Sequence, residues 1–586
     1  MTPLDWLIVV ALNGSIILYA LWRGRETHSS SDWFLAGRSL PWWIVGLSMY
    51  ATAIDSSDLV ADAGGTYKLG MSYYVAGAIG TVAGWLVLAR YVAPPMYRAG
   101  MYTNAEYLEA RFGPAARVIS ALVQVQYRML VLGIISVTIF LTLRVACEMD
   151  EWTAWAAVLG IALLATGYTM VGGLKSVAVT DAMQSIVMIV AAAVLFFTVL
   201  SVVGGWDGIQ ERLATHDENL ARRMLHIGED RVEEEDVSEK SEEEIARALL
   251  LGGELSTDET KITRRTPAWL ACVMFIIGGF AYAVVNHTQT MRLFGARSEW
   301  DMKMAVVVAG GVMIVATFFN LTMGVMGRAL FPVLAEVPLE EELRKSADAI
   351  YPLLVQKYTG DAGLKGLVVA GILAACFSTY DSIGSTLSAL LTRDVYARTI
   401  SPNRDDAHYL RVGRWLTPLI VFGSFAYVPF LLTGGMLFVY LDLVGAFVIP
   451  LLTIYLMGTF TRVHRLSGTV GMLVGVGYGV WRLVGVKLAA ETGTVIIPPA
   501  IADGYAAYPI SMAVTATTML LVSLVRGWVP KGEPLHEEAS GWLRDSQQEI
   551  REVDRGMTVR HGGLLPTILG LAVLGVGVYI CFVVFW

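Results

Sequence analysis

Apolar runs of the length that crosses a bilayer, roughly 20 residues, recur about fourteen times along the 586-residue chain. They lie near residues 4–22, 41–62, 73–97, 115–147, 152–170, 180–203 and 267–290. They continue at 304–330, 364–391, 415–433, 436–457, 467–484, 508–525 and 564–585. The tenth and eleventh runs are divided only by Gly434-Gly435. Most of the connections are short and polar. Two are long: 204–266, rich in Asp and Glu, and 526–563, of mixed charge. The pattern predicts an all-α polytopic membrane protein with about fourteen transmembrane helices.

Composition agrees with the pattern. The chain is 55% apolar and 16% charged, with mean hydropathy +0.57. Soluble domains sit nearer 45–50% apolar and about 25% charged, so the excess has to face lipid. The net charge of -8 carries little information, because much of the acid is gathered in 204–266. No basic stripe points to nucleic acid. Cys147, Cys272, Cys376 and Cys581 show neither metal spacing nor a disulfide framework, and read as small core hydrophobes. The N-terminus has no basic leader or small-residue cleavage site, so 4–22 reads as a retained span.

Basic residues alternate between the short loops. Arg23, Arg25 and Arg38 follow the first run, Arg98 and Arg111 the third, and Lys175 the fifth. Arg292 and Arg297 follow the seventh, Arg393 to Arg414 the ninth, and Arg462 and Arg465 the eleventh. The intervening short loops hold little more than Lys68 and Lys487. By the positive-inside rule the basic set is cytoplasmic. Both termini and the acidic segment 204–266 are then outside. That segment reads as a solvated surface excursion, or as an accessory or cation-collecting domain. Segment 526–563, with Trp542, suits an interfacial amphipathic helix on the cytoplasmic side.

Ionisable groups inside the membrane cost about 2.5–3.5 kcal/mol each at mid-bilayer on insertion scales. The second run carries three, Asp55, Asp58 and Asp62, on one helical face. Small and hydroxyl residues surround them. Such a face lines a watery cavity or binds cations, or else the span ends early and the acids lie in a vestibule. Arg128, deep in the fourth run, needs a partner. An acid of the second run is the natural candidate, as a structural ion pair or as a shared substrate site. The ninth run, from Ala374 to Thr386, is dense in hydroxyls around Asp381. Hydroxyls with carbonyls freed at a helix break hold Na⁺, but they also serve helix packing.

Four stretches resemble the sodium:solute symporter family, which includes sodium/glucose, sodium/proline and sodium/sialic-acid transporters. They are Asp32-Trp33-Phe34-Leu35-Ala36-Gly37-Arg38, the stretch from Tyr102 to Phe112, the stretch from Gly172 to Gln184, and Ser378-Thr379-Tyr380-Asp381-Ser382 followed by Thr392-Arg393-Asp394-Val395-Tyr396. They occur in the family's order, over about residues 32–464. The resemblance implies a LeuT-type core of two inverted five-helix repeats, the first helix of each repeat broken, with ions and substrate near the midplane. The units would be 1–40, an extra span and loop; 41–203 and 267–460, the repeats; 204–266, the acidic loop; and 461–586, the C-terminal spans.

Carried over residue by residue, the resemblance implies a principal Na⁺ site at the carbonyls of Ala51, Ile54 and Ala375 and the hydroxyls of Ser378 and Thr379. Asp181 matches a family aspartate on the sodium exit path, and with Ser378, Asp381 and Ser382 it could form a second site. Asn286 aligns with a sugar contact of glucose-type members, and Arg292 with a structural arginine. Asp58 and Asp442 fall at or near substrate positions, Asp55 lies beside the sodium site, and Arg128 remains a substrate candidate. Acids where sugar carriers use neutral groups favour a solute with an amino or other cationic group.

The sequence thus points to a plasma-membrane sodium symporter that imports a small polar organic solute, and not to an enzyme. Two alternatives stand beside it: a nutrient sensor on a transporter fold, and a proton-coupled carrier using Asp55 or Asp58. No segment is long enough for a fused signalling domain. The solute, the Na⁺ stoichiometry and the oligomeric state are not legible.

Overall fold

The computed structural model describes residues 1–24, 36–236, 245, 249, 254–255, 261–333, 337, 339–344, 346–360, 363–432, 436–530 and 563–586. Arg25, residues 32–35 of the first motif, Ser238, Glu242 to Glu244, Gly434-Gly435 and residues 531–562 with Trp542 lie outside them. Among the described residues, thirteen helices are long and apolar enough to cross a membrane. The second expected span is not one of them, because it is divided into Trp42–Ala51 and Ser56–Leu69, each too short to cross alone. The seventh is likewise broken, at Asn286, between Ala268–Val285 and His287–Phe294. Many large apolar side chains lie exposed on the outer helices, Leu163, Phe197, Leu419 and Val525 among them. Lipid contact accounts for them.

The fifth and sixth expected spans form one helical run, Glu151–Val203, of 53 residues. The run folds back on itself. The Tyr168 hydroxyl bonds Asp381 at 2.7 Å, and a Cβ on Gly371 would lie 2.3 Å from that of Ala191. A straight helix places Tyr168 and Ala191 about 34 Å apart, whereas Gly371 and Asp381 on one helix are about 15 Å apart. The side chains cannot close that difference, so the chain reverses between the two contacts. Elsewhere helices approach closely through glycine. A Cβ on Gly324 would lie 2.1 Å from the carbonyl oxygen of Ala63 in the outer part of the first broken helix.

The fold departs from all-α in the acidic insertion. Strands Arg231–Asp236, Glu254–Leu255 and Lys261–Thr266 make a small antiparallel sheet with the third strand central. Its register sets Glu233 opposite Arg264 and Asp236 opposite Lys261. The insertion is also more than a solvated excursion. Ile209, Leu213, Leu220, Met224 and Ile262 are buried. Arg231 donates to the carbonyl of Leu69 at 2.6 Å, which fastens the sheet to the end of the first broken helix. The chain's last residues join the same face, where the Ile227 amide donates to Phe585 at 2.6 Å.

On the opposite face, two of the sequence motifs meet. Arg117 donates to Asp394 and to Glu109, each at 2.6 Å, and Thr103 donates to Asp394 at 2.9 Å. Burial pushes the Glu106 carboxyl above its ordinary range. At Glu109 burial acts the same way, but hydrogen bonds from Arg117 and Arg398 outweigh it and hold the group below its ordinary value. Asp394 is fully buried, so Arg117→Gln would strand its charge. Loss of a buried partner costs about 3–5 kcal/mol. The expected result is a fall in stability on that order in denaturant unfolding, while the same change at the more exposed Arg398 costs less than about 1 kcal/mol.

Candidate functional site

The first broken helix is interrupted by its own acids. Asp55 is extended (φ -114°, ψ -173°) and caps Ser56–Leu69. Its carboxylate accepts from the Ser57 amide at 2.7 Å, from the Ser57 hydroxyl and from the Asp58 amide. In return, Asp58 Oδ2 accepts from the Asp55 amide at 2.7 Å. This is a reciprocal capping box. In an unbroken helix the Asp55 and Asp58 amides would donate to the carbonyls of Ala51 and Ile54. The box diverts both amides and releases both carbonyls.

The ninth span packs its hydroxyls against this break. Ser378 Oγ lies 2.9 Å from the Ala51 carbonyl and 2.9 Å from Asp181 Oδ1. Thr379 Oγ1 is buried and has no hydrogen-bond partner among the described residues. Ala375 lies one turn away on the same helix and is fully buried. Freed carbonyls, a bridging hydroxyl and an unpartnered hydroxyl are hard, neutral oxygen donors. That set suits a hard cation better than a soft transition metal.

Below it lies a buried charge cluster. Asp181 Oδ2 accepts from Ser48 at 2.6 Å and pairs with Arg292 at 3.2 Å. Arg292 also bonds Ser382, and Ser382 donates to Asp381 at 3.0 Å. The structure therefore brings Asp181, Asp381 and Ser382 together, with the Arg292 guanidinium among them.

The second break is capped by Asn286, whose Oδ1 accepts from the Thr288 amide at 3.0 Å. The two breaks touch. Gln289 donates to the Thr52 hydroxyl at 3.1 Å, and the Tyr282 hydroxyl donates to the Thr52 carbonyl at 2.9 Å. Four successive residues, Asn286, His287, Thr288 and Gln289, each leave one buried polar atom unpaired among the described residues. Unsatisfied groups at such density are rare in a settled core.

Beside the breaks is a cavity of about 100 Å³, lined by Asp55, Ser57, Asp58, Asp62, Arg128 and Tyr282 and by further aromatic and apolar side chains. Arg128 is 3% exposed, and its Nε and Nη2 bond neither to those acids nor to any other group described. The ion pair expected with an acid of the second span is thus not formed. Asn286 and Asp442 do not line this cavity, and Asp442 pairs with Arg482 at 3.1 Å. Tyr282, Gln289 and Tyr440 belong to the site but were not among the residues singled out in the sequence. The hydroxyl of Tyr282, four residues before Asn286 in an otherwise apolar span, was the available signal.

Two interrupted helices that meet beside a polar cavity define a membrane carrier of the LeuT-type broken-helix class. The chain belongs to the sodium:solute symporter family, whose sequence model matches residues 33–475. It is 26% identical to sodium/glucose cotransporter 4 of Danio rerio, over 96% of this chain and 84% of that protein. It is 26% identical to sodium/myo-inositol cotransporter 2 of Sus scrofa, over 82% of this chain and 70% of that one. A Na⁺-coupled sialic acid symporter in a substrate-bound outward-open state shares the fold, with a TM-score of 0.70 at 16% identity, covering 91% of this chain and all of that one. A nucleobase-cation-symport-1 family transporter follows at a TM-score of 0.51 and 13% identity, with 89% of this chain and 99% of that chain covered.

The capping box makes a specific forecast. Asp55→Ala removes the cap, worth about 0.5–2 kcal/mol, and lets the break close over the Ala51 and Ile54 carbonyls. Sodium half-saturation of uptake should rise about tenfold, or about 1.4 kcal/mol. Asp55→Asn keeps an acceptor oxygen and should change it much less. Ser378→Ala with Thr379→Ala should weaken sodium as strongly as the loss of the cap. Equal effects of Ala and Asn at Asp55 would assign the role to charge instead.

Proposed function

We infer that this protein is a sodium-coupled symporter for a small amine-bearing solute, in the simplest case a zwitterion with a carboxylate as well. Sodium coupling rests on family membership. The solute class rests on one observation: Arg128, with two guanidinium nitrogens unpaired among the described residues, faces the same cavity as Asp55, Asp58 and Asp62. A neutral polyol could take hydrogen bonds from these groups but would leave their charges unmatched. An ammonium beside Asp58 or Asp62, with a carboxylate on Arg128, matches both signs. The relatives are named for glucose and myo-inositol, so the proposal separates this chain from them by charge.

Sodium belongs, on this reading, at Ala51, Ile54, Ala375, Ser378 and Thr379. Asp58 serves two ends: one oxygen caps Asp55 and the other is left for the solute. Ion and solute would then bias the same break, which is a physical route for coupling. Asn286, with its unpaired Nδ2, extends the solute site toward the second break. Asp442 is a more remote contributor. A second sodium among Asp181, Asp381 and Ser382 would require Arg292 to move aside.

Thermal unfolding of the purified protein with amino acids, betaines, sugars and carboxylates, with and without Na⁺, tests the solute class. An amine-bearing solute should stabilise, and more strongly with Na⁺. Arg128→Gln and Asp58→Asn should each raise its half-saturation for uptake about tenfold or more, about 1.4 kcal/mol. Sodium affinity without solute should move much less. Stabilisation by neutral sugars alone would overturn the charge assignment.

The protein is a multi-pass membrane protein, and we place it in the plasma membrane with the acidic insertion outside. The alternation of basic loops supports that orientation. Thr215 is exposed on the insertion. A cysteine placed there should react with an impermeant maleimide in intact cells. Labelling only after permeabilisation would reverse the assigned topology.

A further inference from the structure

The second break is held by two side chains from outside its own helices. Where the helix stops at Asn286, the Val285 carbonyl loses its helical donor. In an unbroken helix the Gln289 amide would reach it. That amide donates instead to the Asn286 carbonyl at 3.1 Å. Asn104 Nδ2 takes its place and donates to the Val285 carbonyl at 2.9 Å. Beyond the break, the His287 amide donates to Gln124 Oε1 at 3.0 Å. Gln124 Nε2 then donates to Asn104 Oδ1 at 3.1 Å and closes a ring of bonds around the break. Asn104, Gln124, Val285 and His287 are all buried.

A carbonyl only accepts and a backbone amide only donates, so the two backbone groups fix the orientation of both side-chain amides. Nδ2 of Asn104 has to face Val285, and Oε1 of Gln124 has to face His287. The remaining oxygen and nitrogen are then complementary to each other. An apolar residue at either position strands a buried backbone group, which costs more than the bond itself contributes. Neither Asn104 nor Gln124 lines the cavity, so each acts through the break.

The ring also reaches the ion cluster around Arg117. Asn104 begins the helix Asn104–Phe112. The residue before it, Thr103, donates to Asp394, which pairs with Arg117. The Asn104 carbonyl accepts from the Tyr455 hydroxyl at 2.9 Å, and the Tyr455 ring stacks on Tyr107 of the same short helix. On its other side, the second break bonds Thr52 of the first through Tyr282 and Gln289. Hydrogen bonds therefore lead from Asp394, by way of Thr103, Asn104 and the second break, to Thr52.

We propose that Asn104 and Gln124 are positioning residues for ion binding: they hold the second break against the first and, through Thr103, tie both to the ion cluster around Arg117. The proposal rests on the assignment of sodium to the first break. Spatial continuity alone does not establish coupling, so the test measures it.

The purified full chain is unfolded thermally while sodium is titrated at fixed ionic strength, with K⁺ as the replacement. Gln124→Leu and Asn104→Ala should each raise the half-saturation for sodium by about threefold or more, the worth of roughly one buried hydrogen bond. Hydrogen–deuterium exchange in the peptide at 284–290 should quicken in both variants. Met519→Ala supplies the control for general loss of stability. Met519 is buried against Gly471 in the outer helices, so its truncation lowers the melting temperature and should leave the sodium half-saturation and that peptide as in the wild type. Thr103→Val should shift sodium in the same direction by less, and it provides the readout if the other variants fail to fold. Ser378→Ala with Thr379→Ala, in the same titration, separates the two readings. If that pair moves sodium and the Asn104, Gln124 and Thr103 variants do not, the positioning role is wrong and the sodium assignment stands. If those variants move sodium and the pair does not, the sodium assignment fails and the positioning role stands. Unchanged sodium binding in all of them, or an equal shift from Met519→Ala, would overturn the proposal.

Discussion

The reciprocal bond between Asp55 and Asp58 is the constraint on which the site depends. A membrane helix normally satisfies its backbone internally, since lipid offers no substitute partner. Here two carboxylates supply that substitute for two amides at mid-helix. The amides turn away from the carbonyls of Ala51 and Ile54. The Ala51 carbonyl then meets the ninth span, where the Ser378 hydroxyl lies 2.9 Å from it. The same acids line the cavity beside the breaks. One local interaction thus opens the helix, exposes hard oxygen donors on one side and sets negative charge on the other.

The second break repeats the device with a neutral group. Asn286 caps His287–Phe294 as Asp55 caps Ser56–Leu69. Around it the unpaired atoms of four successive side chains mark a region built to receive something polar. Gln289 and Tyr282 bond directly to Thr52, so the breaks are mechanically one unit. Arg292, from the short helix after the second break, reaches Asp181 and ties this unit to the fold-back helix. A movement that separates the breaks has to disturb the bonds of Tyr282 and Gln289 to Thr52.

Charge elsewhere has a different task. The motif residues Glu106, Glu109 and Asp394 converge on Arg117, and Thr103 donates to Asp394, away from the cavity. They hold together two segments almost three hundred residues apart in the chain. The insertion does similar work on the other face, where Arg231 exchanges solvent for four backbone carbonyls and fixes the sheet over the end of the first broken helix.

The sequence by itself determined the class and most of the spans, because a bilayer admits few solutions and each leaves a long apolar run. It also located the chemistry: the three acids of the second span, the hydroxyl-rich ninth span and Arg128 stand out where polar groups are expensive. It identified the family through ordered motifs. It could not show that Asp55 and Asp58 bond each other where the outer half begins, since helical spacing places them on one face without saying that Asp55 is the cap from which that half starts. It expected Arg128 to pair with an acid, and the tertiary structure leaves two of its nitrogens unpaired. It left the insertion as either a solvated excursion or an accessory or cation-collecting domain, because the burial of Ile209 or Ile262 depends on what packs against them. Nor could it bring Tyr282, Tyr440 and Asp62 to one cavity. Periodicity fixes which face of each helix is polar, but only the packing of distant helices decides which polar faces meet.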